Sequence, residues 1–195
     1  VPTIAGDVGQ LTVFQRSAPW MFENPIYHEE VPQGKKWCLQ NLPFYTRWFR
    51  FLIFWPACDG AYDTVFVDPE WPHQERSINE MNDFVYQMFF DHIKGQVGDD
   101  EELLKKVTPD YAPMGKRTLQ DNGSWLSALK RDNVDLVTQG VASVSAGGVT
   151  ASDGTFYPAD IVIYATGFET DKFLWPMEIK GRGGKLLSDK WGIEP

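Results

Sequence analysis

Asp160-Ile161-Val162-Ile163-Tyr164-Ala165 is nearly continuous in apolar residues, with no polar alternation after Asp160. A short run without a period of two reads as a strand covered on both faces, the pattern of a parallel sheet with helices on either side. A second β-rich run, Leu11-Thr12-Val13-Phe14-Gln15, stands near the start and reads as another buried strand. Between them, from Phe22 to about Thr108, Trp, Phe and Tyr are interleaved with Arg, Gln, Asp and Glu. Apolar residues there recur at helical spacing over Tyr45–Trp55 and Ser77–Ile93, where Ile78, Met81, Phe84, Val85, Met88 and Phe89 follow the i, i+3, i+4 rule. Asp99-Asp100-Glu101-Glu102 suits the start of a helix over Leu103–Val107 that ends before Pro109. Pro109–Arg117 then reads as a loop, Trp125–Lys130 as a short helix and Val134–Thr138 as a strand. Three more short strands, Val141–Ser145, Val149–Ala151 and Thr155–Tyr157, are joined by Gly147-Gly148 and Asp153-Gly154 turns.

The length of 195 residues, 43% hydrophobic, suffices for one sizeable domain or two small ones. With 18 Lys plus Arg against 27 Asp plus Glu, the net charge of −9 argues against nucleic acid as a general partner, so any anion site must be local. Cys38 and Cys58 cannot form a disulfide scaffold, and His28, His73 and His92 show no metal-ligand spacing. The longest apolar run, Trp48–Pro56, is broken by Arg50 and falls short of the roughly 18 residues of a membrane span. Together with the lack of a cationic leader, this predicts a reducing, cytoplasmic setting. The aromatic content of 14%, with 8 Trp, is the one unusual figure. Most of these rings are expected to pack against another domain. The patch Trp48, Phe49, Phe51 and Phe54 could instead dock on a partner or a membrane, although nearby acidic residues make an anionic membrane a poor match.

These elements predict an α/β chain: a doubly wound sheet split by a helical insertion between its second strand and its later half, an architecture that binds dinucleotides. Gly6 and Gly9 do not make the G-x-G-x-x-G turn that would cradle a pyrophosphate. Three clusters could nevertheless carry chemistry. Arg16-Ser17 stands where a second strand ends near an adenosine ribose, and a guanidinium with a hydroxyl fits a 2′-phosphate; a solvated Arg at a strand end is the competing reading. Gly115-Lys116-Arg117 puts two adjacent cations before a helix in an acidic chain, as an anion site or as a solvated loop pair. Ala165-Thr166-Gly167-Phe168 places small residues after the apolar run, where a ligand or a crossing chain can approach closely, or where the sheet simply ends.

In order and spacing, Leu11 to Ser17, the aromatic insertion, Gly115-Lys116-Arg117, Asp132-Asn133-Val134 and Ile161 to Phe168 resemble the class B flavoprotein monooxygenases of Baeyer–Villiger type. Asp110-Tyr111, Asp121-Asn122-Gly123-Ser124-Trp125 and Phe173-Leu174-Trp175-Pro176-Met177 are similar to the 4-hydroxyacetophenone monooxygenase branch. The resemblance implies a Rossmann-like flavoprotein fold with FAD and NADPH domains, of which this chain would be an internal fragment. Residues 1–21 and 109–168 would belong to the NADPH domain, 22–108 to its helical insertion and 169–195 to the return into the FAD domain. It further implies insertion of one oxygen atom of O2 beside the carbonyl of a ketone, such as an aryl ketone, through a flavin C4a-peroxide, giving an ester or lactone. Arg16, Ser17 and Lys116 then correspond to 2′-phosphate ligands. Arg117 corresponds to the active-site arginine beside nicotinamide and flavin, and Trp191 to a tryptophan near cofactor and substrate. Thr166 and Gly167 fall at a cofactor-facing turn. The isolated chain is expected to be inactive, since both phosphate-cradling turns are missing from it. The neighbouring alternative is an N- or S-oxygenating flavin monooxygenase; an alternative of another class is a non-catalytic NADP-binding or interaction module.

Overall fold

The computed structural model of the chain describes residues 1–24, 29–167, 174 and 176–191. In chain order its elements are β1 (Leu11–Phe14), β2 (Met21–Phe22), α1 (Gln33–Asn41), α2 (Tyr45–Ala57), a 3-10 turn over Asp59–Val65, α3 (Glu80–Val97) and α4 (Glu101–Val107). They continue with β3 (Leu119–Gln120), α5 (Ser124–Leu129), β4 (Val134–Val137), β5 (Val141–Ser145), β6 (Gly148–Ala151), β7 (Phe156–Pro158), a 3-10 turn over Arg182–Gly184 and α6 (Leu187–Trp191). They divide between two units, Val1–Pro158 and Ala159–Pro195.

In the first unit β1 pairs in parallel with β4, Leu11 opposite Val134 and Phe14 opposite Val137. β2 pairs in parallel with β3, Met21 opposite Leu119 and Phe22 opposite Gln120. The chain therefore leaves the sheet after β2, runs through four helices and returns beside the place it left. That is a split α/β arrangement with Rossmann-like parallel pairing. The doubly wound sheet expected from the sequence is corrected in extent: the described residues form two two-stranded parallel pairs and one antiparallel meander, β5-β6-β7.

Long-range packing is aromatic. Trp20, fully buried, meets Tyr86 edge-on at 5.2 Å and Phe89 at 6.1 Å, while Phe22 stacks on Phe89 at 5.8 Å. These contacts seat α3 on β2, and the core extends through Ile93, Val97, Val107 and Leu126. α3 begins at Glu80, three residues later than its periodicity suggests, because Asn79 is its N-cap: the side-chain oxygen accepts from Asn82 N at 2.7 Å. It runs on to Val97 and stops at Gly98, whose φ of 74° leaves the helical region. α4 carries the expected acidic cap, with Asp100 accepting from Leu103 N at 2.9 Å. α2 covers the expected stretch yet buries none of its residues in the described chain.

The largest correction concerns the run from which the parallel sheet was inferred. Residues 161–165 form no strand; Ile161 is 80% exposed, Ile163 71% and Tyr164 72%. A strand is defined by its neighbours, and no described residue offers these backbone groups a ladder. The second unit contains instead a small closed turn, with Lys180 bridging Leu186, Gly181 N donating to Lys185 O at 2.8 Å and Leu187 N to Ile179 O at 3.0 Å. His28, Phe168, Phe173 and Trp175 lie outside the described residues. No described helix is long and apolar enough to cross a membrane, and among the described residues no group of three His, Cys, Asp or Glu side chains is placed to hold a metal.

Candidate functional site

Arg16 and Ser17 follow β1 at its carboxyl end, where open α/β sheets bind ligands. The backbone from there to Phe22 runs beside 115–120. Leu119 N donates to Trp20 O at 2.8 Å, and Asp121 N to Phe22 O at 3.1 Å. Asn122 extends this ladder with its side chain, accepting from Asn24 N at 2.9 Å and donating to Asn24 O at 2.8 Å. At the other end, the Trp20 indole donates to Tyr111 O at 2.8 Å and the Tyr111 hydroxyl to Ala18 O at 3.0 Å. Burial pushes the Tyr111 phenol above its ordinary pKa, which keeps it a donor.

This lacing brings together residues far apart in sequence. Lys116 Nζ lies 3.3 Å from Ser17 Oγ across 99 residues, and 4.2 Å from the centroid of the Tyr111 ring. Arg16 and Arg117 are exposed on the same two segments and join no hydrogen bond or ion pair among the described residues. Four of the expected site residues therefore fall on adjacent backbone at one strand end. Thr166, Gly167 and Trp191 belong to the second unit; Gly167 has φ of 84°, a conformation that glycine adopts without strain, and Trp191 ends α6 half exposed.

The loop that carries Lys116 is held from beneath by a residue to which the sequence alone assigns no role. Asn82 of α3, fully buried, donates to Pro113 O at 2.9 Å and Thr64 O at 3.0 Å and accepts from Ile78 N at 3.3 Å. With Pro113 fixed, Met114 adopts φ of 66°, a left-handed conformation that costs a non-glycine residue roughly 1–2 kcal/mol. At Gly115 a Cβ would come within 3.2 Å of Ala112 O, tighter than an ordinary contact. Backbone strain of this kind collects where surroundings over-determine a loop. The Asp121–Trp125 run is folded on its own hydrogen bonds. Asp121, buried, accepts from Gly123 N at 3.1 Å, Trp125 N at 3.0 Å and Ser124 Oγ, and so caps α5.

The other charged cluster lies at the start of α3. Arg76 grips Asp83 with two hydrogen bonds of 2.7 and 3.1 Å, and Ser77 adds a third at 2.7 Å. The guanidinium, and the hydroxyl after it, hold the Asp83 carboxyl below the usual carboxylate range. With every oxygen engaged by local partners, this cluster is structural.

No protein-family model matches the chain. It is 36% identical over 191 residues to the uncharacterized monooxygenase y4iD of Sinorhizobium fredii, covering 98% of this chain and 29% of that protein. It is 29% identical over 191 residues to a Baeyer–Villiger monooxygenase of Streptomyces coelicolor, covering 98% of this chain and 34% of the relative. Among solved structures, that of OTEMO in complex with FAD and NADP superposes with a TM-score of 0.69 at 22% identity, over 100% of this chain and 40% of the other. The chain thus spans about a third of the length of the curated relatives it matches.

Proposed function

We infer that this chain is a stretch of a class B flavoprotein monooxygenase, the superfamily to which its sequence and fold relate it, and that the whole protein inserts oxygen beside a ketone carbonyl. In that reaction NADPH supplies two electrons, one atom of O2 enters the ester or lactone, and the other leaves as water. The observation that carries the reading is the apposition of Ser17 and Lys116 at the carboxyl end of β1, with Arg16 and Arg117 on the same segments. A hydroxyl, an ammonium and guanidinium groups on exposed backbone form a donor set suited to a phosphate dianion. The residues present therefore fit the 2′-phosphate of NADPH, with Arg16, Ser17 and Lys116 as its ligands. Thr166, Gly167 and Trp191 are proposed as further cofactor contacts.

For FAD the chain offers no glycine-rich strand–turn–helix, so no residue here is assigned to its pyrophosphate. The flavin supplies the oxygen activation when bound. What this chain's residues do is bind, orient and stabilise charge. Arg117, adjacent to Lys116 on the strained loop, would present a planar fork of donors to negative charge developing on oxygen at the reacting centre.

Two substitutions in the full-length protein test the reading. Lys116→Ala removes a charge-assisted contact and is expected to weaken NADPH binding about 10- to 100-fold while leaving NADH unchanged; equal losses for both nucleotides would refute the 2′-phosphate assignment. Arg117→Ala is expected to leave flavin reduction by NADPH largely intact and abolish ester formation. Surviving ester yield would remove Arg117 from the chemistry.

A further inference from the structure

We propose that Tyr111 is a specificity-determining positioning residue, whose ring face holds the Lys116 ammonium beside Ser17 so that the pair is preset for a phosphate monoester on a ribose. The proposal rests on the phosphate-site reading above and adds a residue that makes no phosphate contact itself. A lysine side chain on an exposed loop samples many rotamers, and fixing one on binding costs affinity. Here the ammonium sits 4.2 Å from the Tyr111 ring centroid, well within cation–π range, and 3.3 Å from Ser17 Oγ. An ammonium has three donors. With one directed at the hydroxyl and one at the ring face, a donor is left for a ligand.

Tyr111 is itself anchored, by its ring hydroxyl and by its backbone. Its hydroxyl donates to Ala18 O at 3.0 Å, and its own carbonyl accepts from the indole of Trp20 at 2.8 Å, a side chain fully buried in the core. Ala18 and Trp20 lie on the segment that carries Arg16 and Ser17. Tyr111 therefore ties the position of Lys116 to that of Ser17. The predicted consequence is selectivity for the phosphorylated dinucleotide, since an unphosphorylated ribose gains nothing from a preset ammonium.

The test is a double-mutant cycle in the full-length protein, reading dissociation constants for NADP+ and NAD+ by calorimetry. Tyr111→Leu, which removes the ring face, is expected to weaken NADP+ about five- to thirty-fold and leave NAD+ unchanged. Tyr111→Phe, which keeps the ring but loses the hydroxyl tie to Ala18 O, should lower the NADP+/NAD+ ratio by less than the leucine change; a loss equal to that of leucine would place the effect on the hydroxyl and overturn the role of the ring face. In the Lys116→Ala background the leucine change should have no further effect on that ratio. If Tyr111→Leu fails to fold, Tyr111→Met carries the same expectation. An unchanged ratio in the leucine or methionine variant, alongside a fallen ratio in Lys116→Ala, overturns the role of Tyr111 and leaves the phosphate site standing. An unchanged ratio in Lys116→Ala itself overturns both.

Discussion

Asp83 is a carboxylate whose charge is retained by a fork of donors. Its depressed pKa has a definite sign for stability: the contribution is fully present above the unfolded value near 4 and is lost as pH falls through the lower folded value. Replacing Asp83 by Asn is expected to lower the melting temperature by roughly 2–4 °C between pH 5 and 7. The gap to the parent should begin to narrow below about pH 4 and close only as pH falls through the lower folded value; thermal melts from pH 7 down through that window check it, and a gap of constant size would show that the charge is not what matters. A different residue shows what was legible one position at a time. Of the stripe Ile78, Met81, Phe84, Val85, Met88 and Phe89, the structure buries Phe89 and partly buries Ile78 and Val85 but leaves Met81, Phe84 and Met88 exposed, and Asn82 is buried in their place. A buried polar group must find partners, and those of Asn82 were not legible in the sequence, because Thr64 O and Pro113 O are backbone atoms 18 and 31 residues away.

Among the elements, the β5-β6-β7 meander depends on one backbone position. Gly148 has φ of 150°, and a Cβ there would run into the Tyr157 carbonyl and come within 2.9 Å of Pro158 Cα across the ladder. Gly148→Ala is expected to unpair β6 from β7. Hydrogen exchange of the amides in β6 and β7 should then accelerate at least tenfold relative to those of β1 and β4, which do not share the ladder; unchanged protection would show that the sheet absorbs the methyl. The turn residues Gly147-Gly148 and Asp153-Gly154 made this meander readable, since their chemistry is local. β2 and β3 were not readable: each is two residues long, and their pairing is supported by tertiary contacts, Trp20 and Phe22 against α3 and Asn122 against Asn24, that no local pattern shows. The run at 161–165 shows the opposite error. Its composition fits a covered strand, but composition cannot provide the neighbouring strands, and its side chains stand exposed.

For the whole molecule, the unusual property is the amount of apolar surface left open. Trp48, Ile53 and Phe54 of α2 are each more than half exposed. Apolar faces of this kind drive association or are covered by other protein. The 195-residue chain expressed alone is expected to self-associate at micromolar concentration, with light scattering showing species larger than 22.2 kDa; a clean monomer would show that α2 tolerates water. Parallel pairing across the helical block carries a second consequence, for synthesis. A ribosome that has just completed α3 has made Ser17 but not Lys116, and the two meet only after the four intervening helices have closed a 99-residue loop. The proposed anion site is thus expected to be a late product of folding, assembled after the helical block rather than serving as a nucleus for it.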